Sequence, residues 1–494
     1  MDFISLFRAG KQSYLGKAFG LLSLTQAMSA ITSFGIMTLY TKVLPPQDYG
    51  KISLLWLSIT ILSIFVDTRL NTAFCIRYYK LSHEENARNI YTILIYNLLA
   101  VLALYAILAS FPQIVEKVMH IVVTAHEIKL VCLITGLMVL VNFLSSLLLV
   151  SRDPKSYFLV MLLFNATLFA FSALFLLGLQ LGYIAYLYAY LTAYGIASLV
   201  ALWYLLTRYR PTADSLVSLP CLKGLLRLSL PLVPDGLLLM FMTWAGRYLL
   251  NLYSGLAVVG VYSVAYMFSN IFNNFIVAPF GQAVTPMLFE KYVASRDEYT
   301  HLLGVIFKYY WLVVLTILIA YFVVLQELFS VFVGAKYVGA YNIIAIIMLG
   351  IMFSGAVNLL GATIIMKEKT QRTFMITMVS VLANITLNIL LVPQFGMYGA
   401  ALAMLLSYGL QFALVLTYTQ RLVPVVYNYG FICRYGLLAL AVAGVVLAIS
   451  YLSIPVAGKV ILKLAAFAFY LLIILKTSGV KESFTEMFRK VPAQ

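Results

Sequence analysis

Seventeen carboxylates and 33 lysines and arginines are spread over 494 residues, so the few that fall inside long apolar runs are the first candidates for chemistry. Asp235 follows Pro231 and Pro234 at the start of one such run, and Arg247 lies near its other end. A charged group at membrane depth is costly and is retained where it faces a cavity or a partner. At roughly 100° and 1.5 Å per helical residue, the two point about 120° apart and sit about 18 Å apart along the axis, too far for a direct pair. Arg247 reads either as a cation facing a cavity, offering its planar fork to a diphosphate or an acidic sugar, or as an arginine snorkelling to the outer interface. Asp235 reads as a titrating or ion-paired group, or as a cap on a proline-broken helix start.

Two polar stripes have helical spacing. One carries Trp56, Thr60, Ser63, Asp67 and Asn71; the other carries Tyr262, Tyr266, Asn270 and Asn274, with Asn273 beside them. Each stripe lies on one helix face. Taken singly, these side chains suit hydrogen bonds between helices. Taken as a pair, the stripes suit facing walls of a cavity whose hydroxyls, amides and rings would accommodate sugars. Asn384 and Asn388 read as packing contacts. Arg77, beyond the end of the first stripe, could meet an incoming diphosphate at the cytoplasmic entrance or anchor to anionic lipid.

The elements that must position these residues are membrane-spanning helices. The chain is 63% hydrophobic and 10% charged, against about 25% charged for a soluble domain. Uncharged runs such as Ala18–Thr41, Asn89–Val115, Leu130–Ser151, Ser156–Thr207, Tyr248–Phe289, Tyr337–Met366 and Thr373–Gln420 each reach the roughly 20 residues that one crossing needs. They do not alternate as barrel strands would. Splitting the longest at Gly178–Gly182, Ser254–Gly260 and Pro393–Gly396 predicts an all-α polytopic membrane protein with about fourteen spans.

The net charge of +16 does not describe a nucleic-acid-binding face, because the basic residues are dispersed among loops. Most fall in the even-numbered loops and the two tails, which places both termini in the cytoplasm. No cleavable leader is expected ahead of the first span. Cys75, Cys132, Cys221 and Cys433 have neither disulfide nor metal spacing. No phosphate-binding loop motif occurs, so no nucleotide hydrolysis, cofactor or metal is expected.

The chain also resembles itself. Gly50–Trp56 aligns with Gly260–Tyr266, sharing the glycine, the serine and a closing aromatic, and Gly182–Gly195 aligns with Gly396–Gly409. Repeats of this kind organise many transporters. An even number of spans per repeat makes two parallel six-helix bundles, 1–210 and 211–425. Residues 426–494 then add two helices, at about Ile432–Leu452 and Val456–Leu475, and a cytoplasmic tail.

Local sequence adds a family likeness. Lys42-Val-Leu-Pro-Pro-Gln-Asp-Tyr-Gly50, Leu228-Ser-Leu-Pro-Leu-Val-Pro234 and Gly260-Val-Tyr-Ser263 resemble motifs of the polysaccharide and O-antigen flippases of the multidrug/oligosaccharidyl-lipid/polysaccharide exporter superfamily. The resemblance implies a V-shaped pair of lobes in a bacterial inner membrane. It further implies alternating access for an undecaprenyl-diphosphate-linked glycan, among membrane lipids and other polysaccharide-assembly proteins. Members often carry an aspartate where this chain has Gly246, before Arg247, so coupling to H+ or Na+ is left open. A drug or cation antiporter of the same superfamily is the nearest alternative, and the absence of an acid between Ala18 and Thr41 argues against it. A polysaccharide polymerase or glycosyltransferase would need a larger acid- and arginine-bearing outer loop than Phe111–Lys129.

Overall fold

The computed structural model describes residues 14–477 except 112, 114–115, 118–119, 210–217, 368 and 453. Among the described residues every regular element is helical, and 14 helices are long and apolar enough to cross a membrane. The protein is therefore a multi-pass membrane protein: with no water in the bilayer core, a helix satisfies its own backbone groups. The lobe boundary expected at 210/211 lies outside the described residues, as do the tail beyond 477 and the basic residues ahead of 14.

The chain forms two compact units. The first comprises Met1–Phe275, Gly334–Ile351 and Gln371–Gln411. It opens with α1 (Tyr14–Val43), α2 (Pro46–Asp67), α3 (Leu70–Arg77), α4 (His83–Ser110), α5 (Ala125–Val150), α6 (Pro154–Ala173) and α7 (Ile184–Arg208). It continues with α8 (Leu219–Ser229), α9 (Val233–Ser254) and α10 (Leu256–Phe272). The second comprises Ile276–Val333, Met352–Thr370 and Phe412–Gln494; it contains α11 (Ala278–Ala294) and α12 (Arg296–Phe332). Helices α13 (Tyr341–Met366), α14 (Thr370–Phe395) and α15 (Met397–Leu422) precede the last two, α16 (Tyr429–Tyr451) and α17 (Val456–Thr477).

Helix boundaries follow local chemistry. Ser82 and Glu85 close a capping box on α4, and Thr124 and Glu127 do so on α5, each pair satisfying end amides that the helix leaves open. The break after Gly178 runs through a π-helical turn at Leu174–Gly178 and a left-handed Gly182 (φ 64°). The other two breaks fall inside the expected segments Ser254–Gly260 and Pro393–Gly396. The first falls at Gly255 (φ 82°), which leaves Gly260 inside α10, and the second falls at Gly396 (φ 52°), which leaves Pro393 inside α14. Only a glycine meets those angles without strain.

Asp153 caps α6, its carboxylate accepting from the Ser156 amide and hydroxyl and pairing with Arg208 of α7. Burial alone would raise its pKa, but the Ser156 hydrogen bonds and Arg208 outweigh that and hold it below the ordinary aspartate value. A depressed folded pKa gives stability that is present above the unfolded value and lost as pH falls through the folded one, hence below about pH 4. Asp153→Ala should cost about 1 kcal/mol at neutral pH and nothing in acid. Thermal unfolding at two pH values checks this, and a variant melting with the wild type at neutral pH would exclude it.

In the first unit α2 and α10 cross at minimal distance. A Cβ built on Gly50 would lie 2.0 Å from the Leu256 carbonyl oxygen, and one on Gly260 would lie 1.9 Å from that of Pro46. The two contacts are reciprocal: each glycine meets the carbonyl four residues before the other. One turn on, the Ser53 and Ser263 hydroxyls meet at 2.8 Å. Small residues permit such close backbone approach where lipid gives no hydrophobic drive for helix association. Around the same helix ends, Tyr337 donates to the Leu44 carbonyl at 3.1 Å and Lys51 pairs with the buried Glu127 at 2.7 Å.

The second unit has an apolar core in which Tyr309, Leu312, Ile319 and Val323 of α12 pack on Tyr435, Ala439 and Val446 of α16 and Tyr470 and Ile474 of α17. Lys463 of α17, with no exposed surface, pairs with Glu327 of α12 at 3.1 Å. Charge pairing here accompanies apolar packing in fastening α17.

Candidate functional site

Span two does not run straight through. Helix α2 stops at Asp67, and Thr68 (φ 44°) and Arg69 (φ 59°) are both left-handed before α3 begins at Leu70. Left-handed backbone at non-glycine residues costs on the order of 1–3 kcal/mol each and persists only where surrounding contacts hold it. The Asp67 carboxylate accepts from the Asn71 amide in the first turn of α3 at 3.3 Å. The Asn71 side chain donates to Ser146 of α5 at 2.9 Å, and the Thr68 hydroxyl meets that of Tyr96 in α4 at 3.3 Å.

The break opens onto a cavity of about 490 Å³ between α2, α3, α5 and α9, lined by Thr60, Ser63, Asp67, Arg69, Asn71, Asn142 and Thr243. Thr60 and Ser63 donate their hydroxyl protons back to α2 carbonyls, and Thr243 does the same on α9. Those walls therefore present lone pairs to the cavity, which suits the hydroxyl donors of a sugar. The cation of the lining is Arg69. Its guanidinium lies where a side chain on Gly236 would be, 2.1 Å from a built Cβ, and its Nε is buried without a hydrogen-bond partner.

Arg247 belongs to a second cluster one turn above Thr243. It is 2% exposed, so it does not snorkel to an interface. Its guanidinium lies 4.0 Å from the Trp244 ring centroid, 4.2 Å from that of Tyr266 and 5.9 Å from that of Tyr262. Among the described residues no carboxylate lies within ion-pair distance of it, and its Nε has no partner. Beside it, a Cβ on Gly246 would meet the buried and unpartnered Asn388 Oδ1 at 3.3 Å. The nearby amides are tied into α14 and α15: Asn388 donates to the Asn384 carbonyl and Asn384 to Ser407.

The predicted residues thus divide. Thr60, Ser63, Asp67 and Asn71 share the cavity, while Tyr262 and Tyr266 surround Arg247. Asp235 is half-buried in the first turn of α9, next to Gly236. Asn270 lies near the end of α10 and Asn274 in the π-turn that follows, where it accepts from Asn273; neither lines the cavity. Trp56 packs on Tyr186 and Tyr190 instead of facing the cavity. The two stripes are not opposite walls of this cavity, because the glycine crossing brings α2 and α10 into direct contact; the second wall comes from α5 and α9. Arg77 rests on α8, its Nη1 3.1 Å from a Cβ on Gly224. Sequence reasoning passed over Arg69, Asn142 and Thr243. Arg69 stood as a loop charge because no glycine or proline marks the break.

The fold is similar to those of solved transporters. One structure described as the lipid II flippase MurJ in an inward closed conformation matches with TM-score 0.73 at 14% identity, over 92% of this chain and 99% of that one. A multidrug resistance MATE family transporter of the MOP superfamily matches in its inward-facing conformation with TM-score 0.64 at 14% identity, over 82% of this chain and 98% of that one. Its outward-facing conformation matches with TM-score 0.60 at 15% identity, over 82% and 95%. No curated protein matches by sequence. The chain shares the fold of these structures. A family model described as polysaccharide biosynthesis protein matches residues 15–292, and the chain belongs to that family.

Proposed function

We propose that this protein flips undecaprenyl-diphosphate-linked oligosaccharide from the cytoplasmic to the outer leaflet of a bacterial inner membrane by alternating access. The observation that carries the reading is the cavity at the broken span two. Its volume lies in the range of small-ligand sites, about 300–1,000 Å³, and its walls combine acceptor hydroxyls, amides, one guanidinium and the Asp67 carboxylate, which accepts from the Asn71 amide. Those groups suit a sugar joined to a phosphate. A cavity for cationic drugs would present aromatic faces, and none of the lining residues is aromatic.

The reciprocal contacts of Gly50 with Leu256 and of Gly260 with Pro46 support reading 1–210 and 211–425 as two repeated lobes, with 426–494 appended. The distribution of lysine and arginine supports a cytoplasmic location for both termini. The proposed role includes no catalysis, and the other polysaccharide-assembly proteins of the pathway would supply the lipid-linked unit and consume it.

Deleting the gene in its native host and measuring undecaprenyl-linked intermediates together with surface glycan tests the reading. The expected result is a complete repeat unit accumulating on the cytoplasmic side and loss of surface polymer. Unchanged glycan with new sensitivity to cationic drugs would replace this reading with that of an antiporter.

A further inference from the structure

Two arginines of span two each lie over a glycine of the span-seven segment. Arg69 covers Gly236 of α9, with Nη2 2.1 Å and Nε 2.6 Å from where a Cβ would stand, and Arg77 covers Gly224 of α8, with Nη1 at 3.1 Å. Rising numbers in α3 meet falling numbers in α8 and α9, so the segments run antiparallel. Eight helical residues separate the two arginines by about 12 Å. Both guanidiniums are seated where any larger residue would displace them.

Their surroundings differ in a useful way. Arg77 lies beside α8, which buries Leu225 and Ser229, exposes Lys223 and Arg227 and contains no acid. Arg69 lies deeper, on the cavity wall. The Asp67 carboxylate interacts with Arg69 electrostatically but forms no ion pair with it among the described residues, and accepts from the Asn71 amide. A guanidinium held in place with its Nε buried and unpartnered is a donor lacking an acceptor. Its fork matches phosphate oxygens bidentately.

The geometry points to a two-station anion path, in which the diphosphate of a lipid-linked substrate is caught at Arg77 among Lys223 and Arg227 and handed on to Arg69 as the glycan enters the cavity. The path rests on the flippase reading and adds to it which residues read the phosphate and in what order. Arg77 sets the rate of capture, as an exposed cationic cluster does. Arg69 sets the affinity, because its guanidinium is already oriented before the ligand arrives.

The test uses the purified full-length protein in nanodiscs of phosphatidylethanolamine, titrated separately with undecaprenyl diphosphate and with inorganic pyrophosphate. Wild type should bind the lipid diphosphate. Arg69→Gln should weaken that binding by about tenfold or more, as losing a charge-assisted pair does, and Arg69→Lys should fall between. Gly236→Ala should weaken it as well although every charge remains, and Arg77→Gln should slow association with little change in dissociation. Arg69→Lys keeps the charge but not the planar fork, so it still reads the phosphate geometry should Gly236→Ala fail to fold. Wild-type affinity in Arg69→Gln would overturn the path while leaving the flippase reading in place. Wild type that binds no lipid diphosphate would overturn both. Binding of pyrophosphate without the lipid would mean a site for free anions and would also overturn the path.

Discussion

Alanine at Gly50 or Gly260 is expected to abolish glycan export and to lower thermal stability, from the addition of a single methyl group. The methyl would stand 2.0 Å from the Leu256 carbonyl oxygen in the first case and 1.9 Å from that of Pro46 in the second. Real contacts to such an oxygen lie well beyond 3 Å, and here the obstacle is backbone, which cannot turn aside as a flexible side chain would. The helices must therefore separate, which breaks the Ser53–Ser263 hydrogen bond. Overpacking of this kind costs about 1–3 kcal/mol and more where backbone has to move. Because the same separation relieves both clashes, the double variant should cost less than the sum of the single ones. Melting temperature and surface glycan, measured on both single variants and the double, check the expectation. A stable and active Gly260→Ala protein would mean that the crossing is not fixed as described.

Arg247 gives the second large effect, and its two readouts should move in opposite directions. The buried side chain gains from the Trp244 and Tyr266 rings, about 0.5–2 kcal/mol for each cation–π contact. Against that stands the desolvation of an ion with no carboxylate partner among the described residues, several kcal/mol even after relaxation. Desolvation outweighs the ring contacts. Replacing the charge with an apolar side chain of similar length should therefore leave stability unchanged or raise it. Arg247→Met is expected to retain abundance, melt no lower than wild type and export little or no glycan; Arg247→Ala should lose export too, with some stability forfeited to the vacated space. If Arg247→Met exports normally, the cation has no role in transport. If it melts far lower, the arginine is a structural support.

Much of this architecture was legible before any coordinates. Apolar runs of sufficient length with polar or glycine breaks give membrane helices for a thermodynamic reason, since a chain in hydrocarbon must close its own backbone hydrogen bonds. Capping pairs such as Ser82 with Glu85 mark helix starts through contacts three residues apart, and local contacts of that kind are written in sequence. The stripe Trp56, Thr60, Ser63, Asp67, Asn71 was visible from its spacing alone; the last four line the cavity, and Trp56 packs on Tyr186 and Tyr190. Within the expected break segments, the roles of Gly260 and Pro393, both of which lie inside helices, were not legible. A glycine either ends a helix or lets another helix approach, and the choice depends on what lies beside it.

The amino-acid order by itself therefore determined the helical membrane class, the approximate number of spans and the one polar face of span two. Lateral relations were decided by the tertiary structure. The turn at Thr68 and Arg69 has no glycine or proline to announce it, and its left-handed backbone is held by Tyr96, Ser146 and Gly236, partners distant in the chain. The seating of Arg69 over Gly236, the burial of Arg247 against Tyr262 and Tyr266 of α10 and the reciprocal Gly50 and Gly260 crossing are likewise contacts between helices. In a membrane protein, surfaces facing lipid and surfaces facing another helix are both apolar. Composition therefore reports that a helix spans but not which face it turns inward, and that choice is made by shape when the helices pack.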